Sequence, residues 1–130
     1  MDHIDAVIGD LPELVARDPH LLRLGRFCST ELLLEIGEQT FHLVIDRGRV
    51  VEVARGPLRM RAWAFAIRGD RDTWQRFWEP IPAPGFNDIF AMASHGHVRI
   101  EGDVGPLLAH LRYVKAVLAL PRGRLGSAGA

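Results

Sequence analysis

Val98-Arg99-Ile100-Glu101-Gly102-Asp103 is a short alternating run that ends in Gly-Asp, and Ile67-Arg68-Gly69-Asp70 ends the same way. Alternation of apolar and charged residues reads as a half-buried strand, and Gly-Asp reads as its exit into a helix. Two such exits imply two strand-to-helix passages. Between them lie Trp74, Phe77 and Trp78, spaced three and four apart on one helical side. A loop with Pro80, Pro82 and Pro84 follows, then an apolar run from Phe86 to Met92. Most of the aromatic mass therefore sits in one helical excursion between the two strands.

Working outward, Asp70 or Asp72 is the expected cap of the Trp-bearing helix, because a carboxylate accepts from the orphan N–H groups of the first turn. Pro80 stops that helix. A second helix begins at Asn87 or Asp88 and ends at Gly96, a residue suited to a left-handed C-cap. After Val98–Glu101, Asp103 is the expected N-cap of a terminal helix. Pro106 fits its first turn, Leu107, Leu111, Val114 and Leu118 form its buried stripe, and Pro121 closes it.

Upstream, Leu58 to Arg68 reads as a strand with Trp63, Phe65 and Ile67 on one face. Ala62, Ala64 and Ala66 line the other, where either a helix or a ligand is expected to approach closely, the helix being the simpler expectation. Before it, Phe41, Leu43 and Ile45 alternate with His42, Val44 and Asp46, and Asp46-Arg47-Gly48-Arg49 supplies a turn into Val50–Val53. Leu32 to Ile36 precedes that hairpin. Leu11 to Leu24, broken by Asp18-Pro19, reads as two short helical pieces forming a lid or an edge.

The chain has 130 residues, enough for one domain over residues 1–122, with residues 1–28 a helical segment and 123–130 a flexible tail. Acidic and basic residues balance at 16 each, so no global field draws in nucleic acid or an acidic membrane, and such contact would need a local patch. Lys115 is the only lysine; every other strong cation is an arginine. Cys28 is the single cysteine, which rules out an internal disulfide and a cysteine-rich metal site. Without a signal-like start or a run long enough to span a bilayer, a cytoplasmic location without stable membrane insertion is expected.

The order of hairpin, strand ending Ile-x-Gly-Asp, Trp-bearing helix, proline loop, apolar helix ending at Gly96, Val98–Asp103 strand and long terminal helix resembles the sterol carrier protein 2 family. The resemblance covers Thr40 to Leu120 and is strongest over Ala91–Asp103. It implies an α+β, two-layer fold: a mixed, mostly antiparallel sheet of about five strands with helices covering one face. It also implies an apolar tunnel between sheet and helices that accepts fatty acyl chains, sterols or similar lipids. The chain ends Ser127-Ala128-Gly129-Ala130, without the peroxisomal signal of animal members.

On that resemblance the tunnel is lined by Phe41, Leu43, Trp63, Phe65, Trp78, Phe86, Phe90, Leu111 and Val114, with access through the Pro80–Pro84 loop or the terminal helix. The expected function is non-catalytic binding or transfer of an apolar ligand, with neither cofactor nor metal. The rival is an interaction or homodimerisation module with a filled cavity, accessory to an enzyme. Chemistry has weaker candidates. His95 and His97 could share a metal with Glu101, Cys28 could be a nucleophile, and Asp70 with Asp103 could form an acid–base pair. Packing and capping explain these residues more simply. Arg59 or Arg61 could meet an anionic headgroup at a tunnel mouth, against the simpler reading of solvated strand charges.

Overall fold

A computed structural model describes residues 3–56 and 62–124. The elements run α1 (His3–Gly9), α2 (Leu11–Ala16), α3 (Pro19–Leu24), β1 (Thr30–Ile36), β2 (Gln39–Asp46), β3 (Arg49–Arg55), β4 (Phe65–Gly69), α4 (Arg71–Phe77), α5 (Ile89–Ser94), β5 (Val98–Gly102), α6 (Gly105–Ala109) and α7 (Leu111–Ala119). The strands form one sheet in the order β3-β2-β1-β4-β5. β1 and β4 are parallel and the other neighbours antiparallel. The expected mixed, mostly antiparallel five-stranded α+β fold is therefore present.

Register assigns the faces. Leu32, Leu43, Val53 and Phe65 lie side by side, as do Leu34, Phe41 and Ile67. These residues join the buried side chains of the helices, such as Val15, Leu21, Trp74, Trp78, Met92 and Val114, in one core. Helices thus cover a single face of the sheet. α2 packs beside the edge strand β3, with Leu11 and Val15 fully buried, so the N-terminal pieces cap an edge. Asp18 accepts from Leu21 N–H at 3.1 Å, which is why the Asp18-Pro19 break restarts a helix.

The β2–β3 turn has positive φ at both Arg47 and Gly48, as a type I′ hairpin requires. Ser29 Oγ accepts from Arg47 N–H at 3.0 Å and holds the one non-glycine residue with positive φ among the described residues. The two Gly-Asp exits differ. Asp70 caps α4 by accepting from Thr73 N–H at 2.8 Å. Asp103 is not the N-cap of α6; Val104 is, and Asp103 Oδ1 accepts from Gly105 N–H at 2.9 Å instead. Its backbone N–H meanwhile donates to Ala64 O at 2.7 Å. Gly102, at φ 93°, has no room for a side chain, since a Cβ would lie 2.5 Å from that same carbonyl.

Several expectations need correction. The strand expected over 58–68 begins only at Phe65. Residues 57–61 lie outside the described part, which leaves Arg59 and Arg61 undescribed. At Ala62–Ala64 the chain is still crossing toward the sheet: Ala64 N–H donates to Glu31 O, and Leu32 pairs with Phe65 only afterwards. Trp63 accordingly leaves the face of Phe65 and Ile67. It is 36% exposed, with the Arg68 guanidinium 5.8 Å from its ring. The alanine side does not receive a helix; Ala66 is buried on the opposite face, between Leu33 and Glu101 of the flanking strands.

The terminal helix is also divided. It breaks at His110, whose φ of −126° and ψ of 40° are not helical, into α6 and α7. Leu107, Val114 and Leu118 remain buried and Leu111 is half-buried. The break turns Tyr113 inward, where its hydroxyl donates to Gly48 O at 2.6 Å.

Candidate functional site

α4 brings the aromatic stripe onto the sheet. The Trp74 and Trp78 rings lie 5.2 Å apart and Phe77 lies 5.8 Å from Trp74, edge to face. Their polar atoms are satisfied by distant carbonyls: Trp74 Nε1 donates to Glu35 O at 2.9 Å, and Trp78 Nε1 to Leu118 O at 2.8 Å. The first bond pins α4 to β1 and the second pins it to α7. Buried indoles with such partners are fixed in orientation as well as buried.

The segment after α4 returns through Ile81, 88% exposed, to Phe86 and then to α5. Asp88 caps α5 through Phe90 N–H at 2.7 Å and is also ion-paired with Lys115 of α7. Its carboxyl is partly buried, which alone would raise its pKa, but the Lys115 bond and the backbone N–H groups hold it below the ordinary range. Arg122 closes the other side. Its Nε donates to Phe77 O at 3.1 Å, its guanidinium stacks 4.8 Å from the Phe77 ring, and its Nη2 reaches Asn87 O at 3.5 Å. Gly123 N–H donates to Trp78 O at 2.9 Å, so the first residues of the expected tail are held against α4. Residues 125–130 lie outside the described part.

Of the nine expected lining residues, Phe41, Leu43, Phe65, Trp78 and Val114 meet in the core between sheet and helices, each at most 2% exposed. Phe86, Phe90 and Leu111 pack against that core and are half-buried at its margin. Trp63 stands apart. It lines a depression of about 630 Å³ on the other face of the sheet, with Val44, Val51, Ala62 and Ala64. Beside this depression lies His42, fully buried, its Nε2 3.0 Å from Ala62 O and 2.9 Å from Glu31 Oε1. Both partners are acceptors, so this nitrogen carries the proton. Sequence reasoning placed His42 on the polar face and missed its tie to the crossing chain. Nothing in the local sequence pointed to it, because the partner comes from twenty residues away.

The residues weighed for chemistry occupy the following places. His95 is the C-cap of α5, and the His97 ring stacks on Phe86 at 4.4 Å. Among the described residues no three metal-ligating side chains gather. Burial pushes the Cys28 thiol up to about 11, which keeps it protonated and weakly nucleophilic at neutral pH. Arg68 is held between Glu101 at 2.7 Å and Glu35 at 3.1 Å in a cleft of about 320 Å³ that Asp70 and His97 also line. The Arg68 bond lowers the Glu101 carboxyl, and the Thr73 N–H bond lowers Asp70.

No family model matches the sequence, and no curated protein matches it. Solved structures do. A crystal structure of sterol carrier protein 2 superposes with a TM-score of 0.71 at 13% identity, covering 91% of this chain and 95% of that one. The sterol carrier protein 2 of Yarrowia lipolytica, in its apo form, gives 0.59 at 12% identity over 92% and 90% of the two chains. The UbiJ-SCP2 ubiquinone synthesis protein gives 0.58 at 13% identity over 92% and 99%. The chain has the fold of sterol carrier protein 2 across nearly its full length.

Proposed function

We propose that the chain binds an apolar, lipid-like molecule between the sheet and its helical cover and releases it unchanged, without bond-making chemistry of its own. The observation that carries this reading is the fold, matched over 91% of the chain by a sterol carrier protein 2. The aromatic layer supports it: Trp78, Phe86 and Phe90 converge with Leu111 and Val114 where α4, α5 and α7 meet. That layer is filled by side chains, so a ligand takes its place by displacing the cover. The segment from Glu79 to Asp88 and α7 are the parts to move, since polar fasteners at Arg122 and Lys115 hold them at their ends. Burying about fifteen methylenes is worth about 12 kcal/mol, and subtracting roughly 4 kcal/mol for association leaves about 8 kcal/mol, the free energy of a micromolar complex.

Titration with a fluorescent fatty acid, read by energy transfer from the tryptophans, tests the proposal. A saturable one-to-one signal at micromolar concentration is expected. A signal that rises only linearly with probe would refute it.

A further inference from the structure

The corner where α3, the β2–β3 turn and the α6–α7 break meet is tied together by backbone. Cys28 N–H donates to Gly25 O at 2.8 Å, and Gly48 N–H donates to Cys28 O at 3.0 Å. Tyr113 OH donates to Gly48 O, and its ring fills the space where a Cβ on Gly25 would sit. Three chain segments distant in sequence therefore present one surface. On it stand five exposed arginines, Arg23, Arg26, Arg47, Arg49 and Arg112. Asp46 accompanies them, accepting from Ser29 Oγ at 3.4 Å. In a chain with no net charge, these arginines outnumber the accompanying Asp46 and leave the group positive.

The same corner carries apolar side chains that the fold does not bury. Phe27 is 78% exposed at the tip of the turn, with the Arg26 guanidinium 4.6 Å from its ring centre, and Leu108 is 57% exposed. Leu108 shares a shallow depression of about 300 Å³ with Leu24 and Arg112. An aromatic ring at a loop tip, a leucine nearby and a surround of arginines match the two requirements of an acidic lipid surface. The rings and aliphatic side chains enter the headgroup boundary while the guanidinium groups bind phosphates.

We propose that this corner docks the protein, peripherally and reversibly, on an anionic lipid bilayer. The surface stands on its own geometry and charge, whether or not the core accepts a ligand. Nucleic acid shares the phosphate chemistry, but the exposed Phe27 and Leu108 among these arginines favour a bilayer.

Flotation of the full chain with vesicles of phosphatidylcholine containing about 30% phosphatidylglycerol, against vesicles of phosphatidylcholine alone, tests the proposal in the absence of any carried ligand. The protein should float with the anionic vesicles only and be released by roughly 0.5 M salt, where charge contacts are screened. Each arginine at such a surface strengthens binding by about fivefold, so the double variant Arg26→Glu/Arg47→Glu should weaken it at least about 25-fold. Phe27→Ser, at a site too exposed to support the fold, should weaken it several-fold while leaving the salt dependence in place. Thermal melting of both variants shows whether the fold is retained. Absence of flotation, equal flotation of folded variants, or binding to an oligonucleotide but not to vesicles would overturn the proposal, and none of these results bears on fatty-acid binding.

Discussion

At the scale of single residues, stability is concentrated where a side chain satisfies a backbone group far away in sequence. Tyr113→Phe leaves Gly48 O without its donor at a buried site and should cost about 1–3 kcal/mol in urea unfolding. Gly25→Ala should cost more, because its Cβ would sit 2.3 Å from the Tyr113 ring and the ring has its own bond to keep. Asp70 makes a pH-dependent contribution. Its carboxyl is held below the ordinary range by the Thr73 N–H, so the cap is fully effective above the unfolded-state value and is lost as pH falls through the lowered folded one. Asp70→Ala should cost about 1 kcal/mol at neutral pH, and the difference from the unmodified chain should shrink in melts taken as the pH falls through the lowered folded-state value.

At the scale of elements, the helical cover is fastened at its ends more than along its length. Asp88 serves both as cap of α5 and as partner of Lys115 on α7, while Arg122 ties Phe77 and Asn87. If the cover moves to admit a ligand, Arg122→Ala loosens it without removing any side chain of the core and margin between sheet and helices that the ligand would meet. Stopped-flow uptake of a fluorescent fatty acid should then quicken several-fold with little change in capacity. Unchanged uptake rates would place the moving part elsewhere.

At the scale of the whole molecule, the architecture was legible where local chemistry is strong. The hairpin turn at Arg47-Gly48, the Asp70 and Asp88 caps, Pro80 and Gly96 each mark a boundary through their own backbone demands. Long-range causes were not legible. Trp63 alternates correctly with Phe65 in sequence, yet it leaves the face because the chain is still crossing toward β1 at Ala64. The helix expected from Asp103 breaks at His110, where Tyr113 is drawn to a carbonyl sixty-five residues away. The candidate site divides in the same way. Its apolar character could be read from periodicity, while the fasteners at Arg122 and Lys115 depend on partners that only the fold brings near.

Uptake of an apolar molecule between sheet and helices is decided by native mass spectrometry of the protein as purified. Beside the bare chain of 14.5 kDa, a population heavier by the mass of a single lipid-sized molecule is expected, which organic extraction removes and added fatty acid restores. A spectrum that shows only the bare chain, both before and after incubation with fatty acid, would contradict it.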